Sequence, residues 1–392
     1  MKLPLSLYVH LPWCVQKCPY CDFNSHAAGA AAPRGRYLDA VIRDLQSEAG
    51  RAGDRPVESV FLGGGTPSLF SPDEISRLLN RVRKIFTVVE GAEITMEANP
   101  GTVECGDPAG YRDAGINRLS FGGQSFDDEL LKGIGRIHSS ADIVRAVNDA
   151  RRAGIDNINI DLMHGLPGQT IATALDDLEA AIDLEPTHVS WYQLTLEPNT
   201  IFYARPPEGI PDEETLWEIQ NRGQSLLAEN GYLQYEVSAY ARAEHRCRHN
   251  LNYWLFGDYL AAGAGAHGKV TNESGVFRYI KPANPLQYMK TMEAGIAAPE
   301  PVPVAESELV FEFMLNALRL TEGFDEAVFA ERTGSSVGEL AGMMKPVGEK
   351  GLVLREHGGV WRPTALGLRF LNDLQAEFLP EARQNRAVGS PS

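Results

Sequence analysis

Three cysteines within eight residues, Cys14, Cys18 and Cys21, carry the clearest chemical signal in this sequence. Three thiolates on one short loop can hold three irons of a [4Fe–4S] cluster and leave the fourth iron without a protein ligand. An iron with an open position can bind and reduce a small molecule, so such a cluster is a reagent as well as an electron carrier. The spacing Cys-x3-Cys-x2-Cys therefore predicts an iron–sulfur site.

A structural zinc site and a disulfide framework are the alternatives to a cluster. Structural zinc normally uses two paired Cys or Cys/His units, whereas Cys105 and Cys247 stand alone and far from the loop. Five cysteines are an odd number, and the N-terminus reads as a first strand and not as a signal peptide. Reduced thiols without an export signal lead us to expect a cytoplasmic protein.

Composition sets limits on the partners of this chain of 392 residues. Its hydrophobic content of 43% is ordinary for a globular protein, and its longest apolar runs are too short to cross a bilayer. The net charge of −16 argues against non-specific nucleic-acid binding, which needs a positive field. We therefore expect no nucleic-acid partner, while peripheral membrane contact stays open.

Strand-like and helix-like segments alternate from residue 5 to about residue 235. Repeated βα units require a parallel sheet with right-handed crossovers, and six of them cannot close an eight-stranded barrel. The pattern predicts an α/β fold, a partial (β/α)6 barrel open on one side, with functional residues at the carboxyl ends of the strands. The predicted strands cover residues 5–10, 59–62, 93–97, 116–121, 157–162 and 188–196.

The rest of the chain departs from this alternation. Three helices, a small two-stranded wing and a final helix are predicted after residue 305, which is a winged-helix-like pattern. The acidic balance favours a protein-contact or lid role for that unit over DNA binding. The predicted units are the barrel in 1–240, a connecting region in 241–304, the helical domain in 305–380 and a disordered tail in 381–392.

Polar and glycine residues gather at the predicted strand ends. The loop Gly63-Gly64-Gly65-Thr66-Pro67 lets backbone approach a ligand closely, although it is neither a dinucleotide nor a phosphate-loop pattern. Each polar residue of this group alone would more often cap a backbone group than bind a ligand. Together they converge on one rim of the sheet, where carboxylates suit hydroxyls and an arginine suits a carboxylate. They are Glu97, Gln124, Arg136 and Asp161.

These motifs resemble the radical S-adenosylmethionine (SAM) superfamily, and more narrowly its coproporphyrinogen dehydrogenase-like branch. The branch-like segments are Tyr8-Val-His-Leu-Pro-Trp-Cys, Leu-Gly-Gly-Gly-Thr-Pro-Ser, Glu97-Ala-Asn-Pro, Gly135-Arg-Ile-His and Asp161-Leu-Met-His-Gly-Leu-Pro. The resemblance implies that the three cysteines of the loop bind the cluster and that SAM is chelated by its open iron and cleaved to a radical. The positions that match SAM contacts are Tyr8, Gly64, Gly65, Thr66, Glu97, Gln124, Arg136 and Asp161.

Two functions occur on this scaffold, a heme chaperone of the HemW family and an oxygen-independent coproporphyrinogen III dehydrogenase. The segment His249-Asn-Leu-Asn-Tyr-Trp254 matches the HNxxYW motif of the chaperone family. Phe23 stands where the dehydrogenase pattern has a fourth cysteine, and no N-terminal extension is expected before the first strand. We therefore expect a protein that binds heme and passes it to acceptors such as respiratory hemoproteins, with the dehydrogenase as the alternative.

The motif also suggests how heme would be held. A neutral imidazole is a standard heme ligand, so His249 is the candidate for the iron, with Cys247 as an alternative thiolate. Arg242, Arg246 and Arg248 are candidates to pair with the propionates. Without the family resemblance, a loop histidine such as His249 would more often bond to local backbone. His267, in Gly265-Ala-His-Gly268, is expected near the SAM pocket, and no role is assigned to it. The sequence is compatible with a monomer or a homodimer.

Overall fold

The computed structural model describes residues 3–27, 32–101, 106–296 and 299–380. The predicted disordered tail, residues 381–392, lies outside the described residues. Within those four ranges, no helix combines the length and apolar character needed to cross a membrane.

The strands are numbered in chain order. They are β1 (Leu5–Leu11), β2 (Trp13–Cys14), β3 (His26–Ala27), β4 (Val57–Gly64), β5 (Val88–Ala98), β6 (Arg118–Gln124), β7 (Ile158–His164), β8 (His188–Gln193), β9 (Leu233–Glu236), β10 (Ala239–Ala241), β11 (Asp258–Ala262), β12 (His267–Asn272), β13 (Gly275–Ile280), β14 (Val302–Pro303), β15 (Phe324–Asp325), β16 (Val353–Arg355) and β17 (Val360–Pro363).

The α-helices are numbered in the same way. They are α1 (Arg34–Ala52), α2 (Pro72–Ile85), α3 (Pro108–Ala114), α4 (Asp128–Gly133), α5 (Ser140–Arg152), α6 (Ile171–Asp183), α7 (Ile201–Ala204), α8 (Glu213–Glu229), α9 (Arg248–Trp254), α10 (Pro285–Glu293), α11 (Glu306–Ala317), α12 (Glu326–Thr333), α13 (Val337–Glu349), α14 (Ala365–Arg369) and α15 (Leu371–Ala376).

Six neighbouring parallel strands, β1 and β4 to β8, form the predicted partial barrel, which confirms this part of the fold. Across the described residues, the sheet continues beyond both ends of this series to twelve strands. On one side β11 pairs parallel with β1, and β12 to β14 follow antiparallel. On the other side β10 and β9 are antiparallel. The sequence pattern did not reveal that residues 241–304 extend the sheet, because those strands are short and rich in glycine and aromatic residues.

Alternation along the strands separates an apolar outer face from a polar inner face. In β1, Leu5, Leu7 and Val9 join the main hydrophobic core, while Ser6 on the other face bonds to Ser59 of β4 at 2.8 Å between hydroxyls. The outer helices supply the matching apolar stripe: α2 buries residues at the i, i+3, i+4, i+7 spacing after a Ser71/Glu74 capping box. The barrel interior is therefore lined with groups able to bind polar ligands.

A second hydrophobic core belongs to the C-terminal domain. It includes Phe313, Phe329, Leu340 and Trp361, and the strand order β15-β17-β16 forms the small wing. The helical, winged-helix-like character of this domain is as predicted, but β15 adds a third strand to the predicted two-stranded wing. The single final helix predicted after the wing is instead two short helices, α14 and α15, that meet at Phe370.

A buried ion cluster joins α1 to the turn between β11 and β12. Lys281 donates to Asp44 at 2.6 Å and to Glu48 at 2.5 Å, and all three side chains are inaccessible to solvent. Asp44 also accepts the backbone N–H of Gly263 at 3.2 Å and the hydroxyl of Tyr288 at 2.7 Å. The cluster therefore anchors the turn that precedes β12.

Replacement of Lys281 tests this anchor. Lys281→Met leaves the buried carboxylate of Asp44 without a cation and Glu48 with Arg51 alone, and we expect the free energy of unfolding to fall by about 3–5 kcal/mol. Lys290→Met, at an exposed position of α10, is the matched control and should stay within about 0.5 kcal/mol of wild type. Denaturant unfolding measures both, and an equal loss in the two variants would contradict a stabilising role for the cluster.

Candidate cofactor and heme sites

A cavity of about 330 Å³ opens at the carboxyl ends of the barrel strands. The cysteine loop forms one wall, the glycine loop after β4 a second, and the ends of β6 and β8 a third. Eight of the predicted site residues line it: Cys14, Cys18, Cys21, Gly64, Gly65, Thr66, Gln124 and Arg136.

Local hydrogen bonds hold the cysteine loop in its curved shape. The Cys21 N–H donates to the Cys18 carbonyl at 3.2 Å, and Lys17 Nζ donates to the carbonyl oxygens of Phe23 at 3.0 Å and Ser25 at 3.3 Å. Cys14 is buried, and this burial raises the pKa of its thiol to about 11. Metal binding at this thiol must therefore displace a proton.

The donor set fits a cluster better than a single ion. In the described part of the chain, no three His, Cys, Asp or Glu side chains are grouped closely enough to hold one metal ion. The three thiols of the loop instead line a common cavity, as an inorganic cluster with several iron corners requires. The cavity walls also carry Tyr20, Asn99 and Tyr192, which sequence reasoning did not select.

Glycine is required at the end of β4 and in the loop after it, because the chain there packs tightly on the segment from His10 to Trp13. At Gly64, whose φ is +118°, a Cβ atom would lie 2.5 Å from the ring of His10. At Gly65, a Cβ atom would lie 2.6 Å from the carbonyl carbon of Pro12. Any larger residue would push the glycine loop away from the segment that leads into Cys14.

Gln124 and Arg136 are held by neighbours on the opposite wall. Gln124, whose φ is +70°, accepts a hydrogen bond from the Tyr192 hydroxyl at 2.9 Å. Arg136 donates to Asn99 at 2.7 Å and to the Gly122 carbonyl at 2.6 Å, and its other amino nitrogen lies 3.7 Å from Cys18 Sγ. The guanidinium therefore stands beside a predicted cluster ligand, where it would offset negative charge.

A second cavity, of about 600 Å³, adjoins the first and shares Asp22, Phe23 and Gly64 with it. Tyr8 and Glu97 line this second cavity and not the first. The rest of its lining comes from β1, the segment after the cysteines, the C-terminal end of α9, β11, the turn before β12, the first residue of β12 and helix α11. These residues are His10, Asn24, Tyr253, Trp254, Tyr259, Gly265, Ala266, His267 and Asn316.

Glu97 joins the two cavities through Gly64, whose N–H donates to its carboxylate at 2.9 Å. Burial, and then the nearby Asp161, raises the pKa of Glu97 to about 7, although the Gly64 bond lowers it. Asp161 lies in the polar barrel interior and lines neither cavity. Its carboxylate accepts hydrogen bonds from Ser120 at 3.1 Å and from Asn159 at 2.7 Å. The strand-end residues therefore do not all meet in one pocket.

His249 lies inside the barrel and lines neither cavity. Its Nδ1 is 2.9 Å from the Ser59 hydroxyl, and its Nε2 is 3.0 Å from the Tyr253 hydroxyl. Burial, and then Arg118, lowers the pKa of the ring to about 3, so the imidazole is neutral. Ligation of heme iron by His249 stays a prediction, and it requires the hydrogen bond to Ser59 or the one to Tyr253 to break first.

The motif helix α9 is fixed by an acid at its N-terminal end. Glu93 of β5 accepts the N–H groups of Arg248 at 3.0 Å and His249 at 3.1 Å, and it also contacts Cys247 Sγ at 3.4 Å. Such a carboxylate stabilises a helix N-terminus. Cys247 is thus buried away from both cavities.

The predicted propionate partners also lie outside both cavities. Arg246 pairs with Glu322, Arg248 bonds to the Gly91 carbonyl, and Arg242 stacks 4.9 Å from the centre of the Tyr232 ring. None of the three lines either cavity. Their pairing with heme propionates stays a prediction.

Comparison with known proteins gives the family. Residues 8–181 match the model of the radical SAM superfamily, and residues 304–370 match that of the HemN C-terminal domain. The chain is 47% identical to the heme chaperone HemW of Haemophilus influenzae, covering 96% of this chain and 98% of that protein. It is 46% identical to the HemW of Escherichia coli, covering 96% and 99%. The chain belongs to the HemW family of radical SAM proteins.

A solved structure shares the whole architecture. Coproporphyrinogen III oxidase (HemN) from Escherichia coli, described as a radical SAM enzyme, superposes with a TM-score of 0.80. It is 25% identical, and the match covers 96% of this chain and 90% of that one. The HemW family and this enzyme therefore share one scaffold, and the fold alone does not separate the two functions.

The raised pKa of Glu97 makes stability depend on pH. The unfolded carboxyl has the lower pKa, so the folded form is favoured at low pH and loses that advantage as the pH rises through about 7. Because Glu97 is only half-buried, solvent screening reduces this effect. Between about pH 5 and pH 8 we expect the free energy of unfolding of wild type to fall by about 1–2 kcal/mol relative to that of Glu97→Gln.

Denaturant unfolding at several pH values measures this difference. The control is Glu90→Gln, at an exposed position of the same strand, which should follow the pH dependence of wild type. A difference between wild type and Glu97→Gln that stays constant with pH would show that this carboxyl is not perturbed.

Proposed function

We propose that this protein is a heme chaperone that binds heme and transfers it to acceptor proteins such as respiratory hemoproteins. The observation that carries the proposal is identity of 46–47% over nearly the full length of two proteins named as heme chaperones. The HNxxYW motif on α9 and the aromatic lining of the second cavity, which has a volume of about 600 Å³, support this proposal.

The first cavity is the proposed site of a [4Fe–4S] cluster and SAM. Cys14, Cys18 and Cys21 would hold the cluster, and Gly64, Gly65 and Thr66 would present backbone to the methionine part of SAM. Gln124 and Arg136 contact the same cavity. Tyr8 and Glu97 are proposed to act from the adjoining second cavity, and Asp161 from the barrel interior. When bound, the pair supplies one-electron chemistry.

Decarboxylation of coproporphyrinogen III is the second candidate, favoured by the structural match to HemN. One residue of the cysteine loop argues against it: Phe23, where the dehydrogenase pattern has cysteine, is 60% exposed and lines both cavities. An apolar ring at the boundary suits packing against a macrocycle better than a ligand role.

The remaining features of the proposal follow from charge and domain organisation. With a net charge of −16, acceptors are expected to be proteins and not nucleic acids. We propose a cytoplasmic monomer or homodimer with peripheral membrane contact during transfer, and a lid or contact role for the C-terminal domain in 305–380. The units 1–240 and 241–304 are proposed to act together, because the second cavity takes residues from both.

Anaerobic reconstitution with iron and sulfide, followed by heme titration and a coproporphyrinogen assay on the same sample, tests the proposal. We expect iron and sulfide uptake, a Soret band on heme addition, and no protoporphyrinogen with SAM and reductant. Repeated turnover of coproporphyrinogen would overturn the chaperone assignment in favour of the dehydrogenase.

Cysteine variants test the cluster site separately. Replacing Cys14, Cys18 and Cys21 together with alanine removes every thiolate of the first cavity, so cluster absorption and bound iron and sulfide should be lost. Cys247→Ala is the matched control and should retain the cluster, because Cys247 lies outside that cavity. Cluster loss in the control alone would contradict the assignment.

A further inference from the structure

His267 is the histidine of the second cavity whose ring is available to a ligand. It begins β12, is exposed, and neither of its ring nitrogens makes a hydrogen bond within the described ranges. The other histidine of this cavity, His10, has Nδ1 2.9 Å from the Tyr8 hydroxyl and Nε2 2.9 Å from the Asn24 carbonyl oxygen. His10 is therefore committed to structure, and His267 is not.

The surroundings of His267 suit a large planar ligand. Phe23, Tyr253, Trp254 and Tyr259 give the second cavity its aromatic surface, and its volume of about 600 Å³ falls within the range of cofactor pockets, about 300–1,000 Å³. Tyr253 is already bonded to His249, and the Tyr259 hydroxyl accepts from Arg278 at 2.6 Å. These tyrosines contribute ring surface more readily than oxygen ligands.

We propose that heme occupies the second cavity and that its iron is ligated by His267, with Phe23 and Trp254 packing against the macrocycle. This inference rests on the proposed heme chaperone function and names the ligand that such a function needs. A neutral imidazole with a free nitrogen at the edge of an aromatic cavity is the donor that heme iron normally takes from proteins.

The turn that carries His267 is held in place, which suits a fixed ligand. Asn24 donates to the Ala264 carbonyl at 2.9 Å, and a Cβ atom at Gly265 would lie 2.4 Å from the same amide nitrogen. The Lys281 N–H donates to the Ala266 carbonyl at 2.9 Å. Partial desolvation at the cavity, and then Arg278, lowers the pKa of His267, which favours the neutral form of its imidazole. The ring is thus presented from a rigid platform in its ligating form.

Titration of the purified full chain with ferric heme, followed by absorption and electron paramagnetic resonance, tests the assignment. In His267→Ala we expect the dissociation constant to rise about tenfold or more and the histidine-ligated spectrum to disappear, because one iron bond is lost. Added imidazole should restore that spectrum. His357→Ala is the matched control, since His357 is exposed on the wing hairpin and lines neither cavity.

Each outcome separates the inference from the proposed function. If wild type binds no heme, the chaperone function fails and the inference with it. If wild type binds heme and His267→Ala keeps its affinity and spectrum, the inference alone is overturned. Loss of the histidine spectrum in His249→Gln, with His267→Ala unchanged and both variants folded by thermal unfolding, would transfer the ligand role to His249.

Discussion

Close contact between two backbones underlies the whole site. The glycine loop after β4 packs directly on the segment that runs from His10 to the first cysteine, and Gly64 and Gly65 leave no space for a Cβ atom there. Two backbone hydrogen bonds of 2.8 Å hold this contact in place. The Gly65 N–H donates to the Leu11 carbonyl, and the Thr66 N–H donates to the Trp13 carbonyl. This contact brings the thiols and the backbone of Gly64 and Gly65 to one cavity.

The fold also creates a barrel interior lined with polar side chains, which other parts of the chain occupy. Helix α9 fills part of it, with His249 packed 5.0 Å from the Phe61 ring centre and Glu93 bound to its first N–H groups. Inside the barrel, His249 of the HNxxYW motif is hydrogen-bonded to Tyr253, and Tyr253 and Trp254 reach the second cavity. The first residue of the motif therefore helps to position one of its last two residues.

Sequence reasoning was most successful where a residue pattern follows directly from the geometry of the structure that it forms. Period-two alternation and repeated crossovers predicted the six parallel strands, and the spacing of Cys14, Cys18 and Cys21 predicted three thiols in one cavity. It could not predict that β11 joins β1, because that pairing is long-range and its strand is short. It also could not predict that Asp161 and His249 lie outside both cavities. A position at a strand end or in a motif does not reveal which neighbours already form hydrogen bonds with a side chain.

Anomalous diffraction at the iron edge, from crystals of the reconstituted protein with heme, tests the central claim of two adjoining sites most directly. The account predicts two separate iron peaks on either side of Phe23, one among the three cysteine sulfurs and one within bonding distance of a ring nitrogen of His267. A heme iron peak outside the second cavity, or no iron peak among the three cysteine sulfurs, would contradict the account.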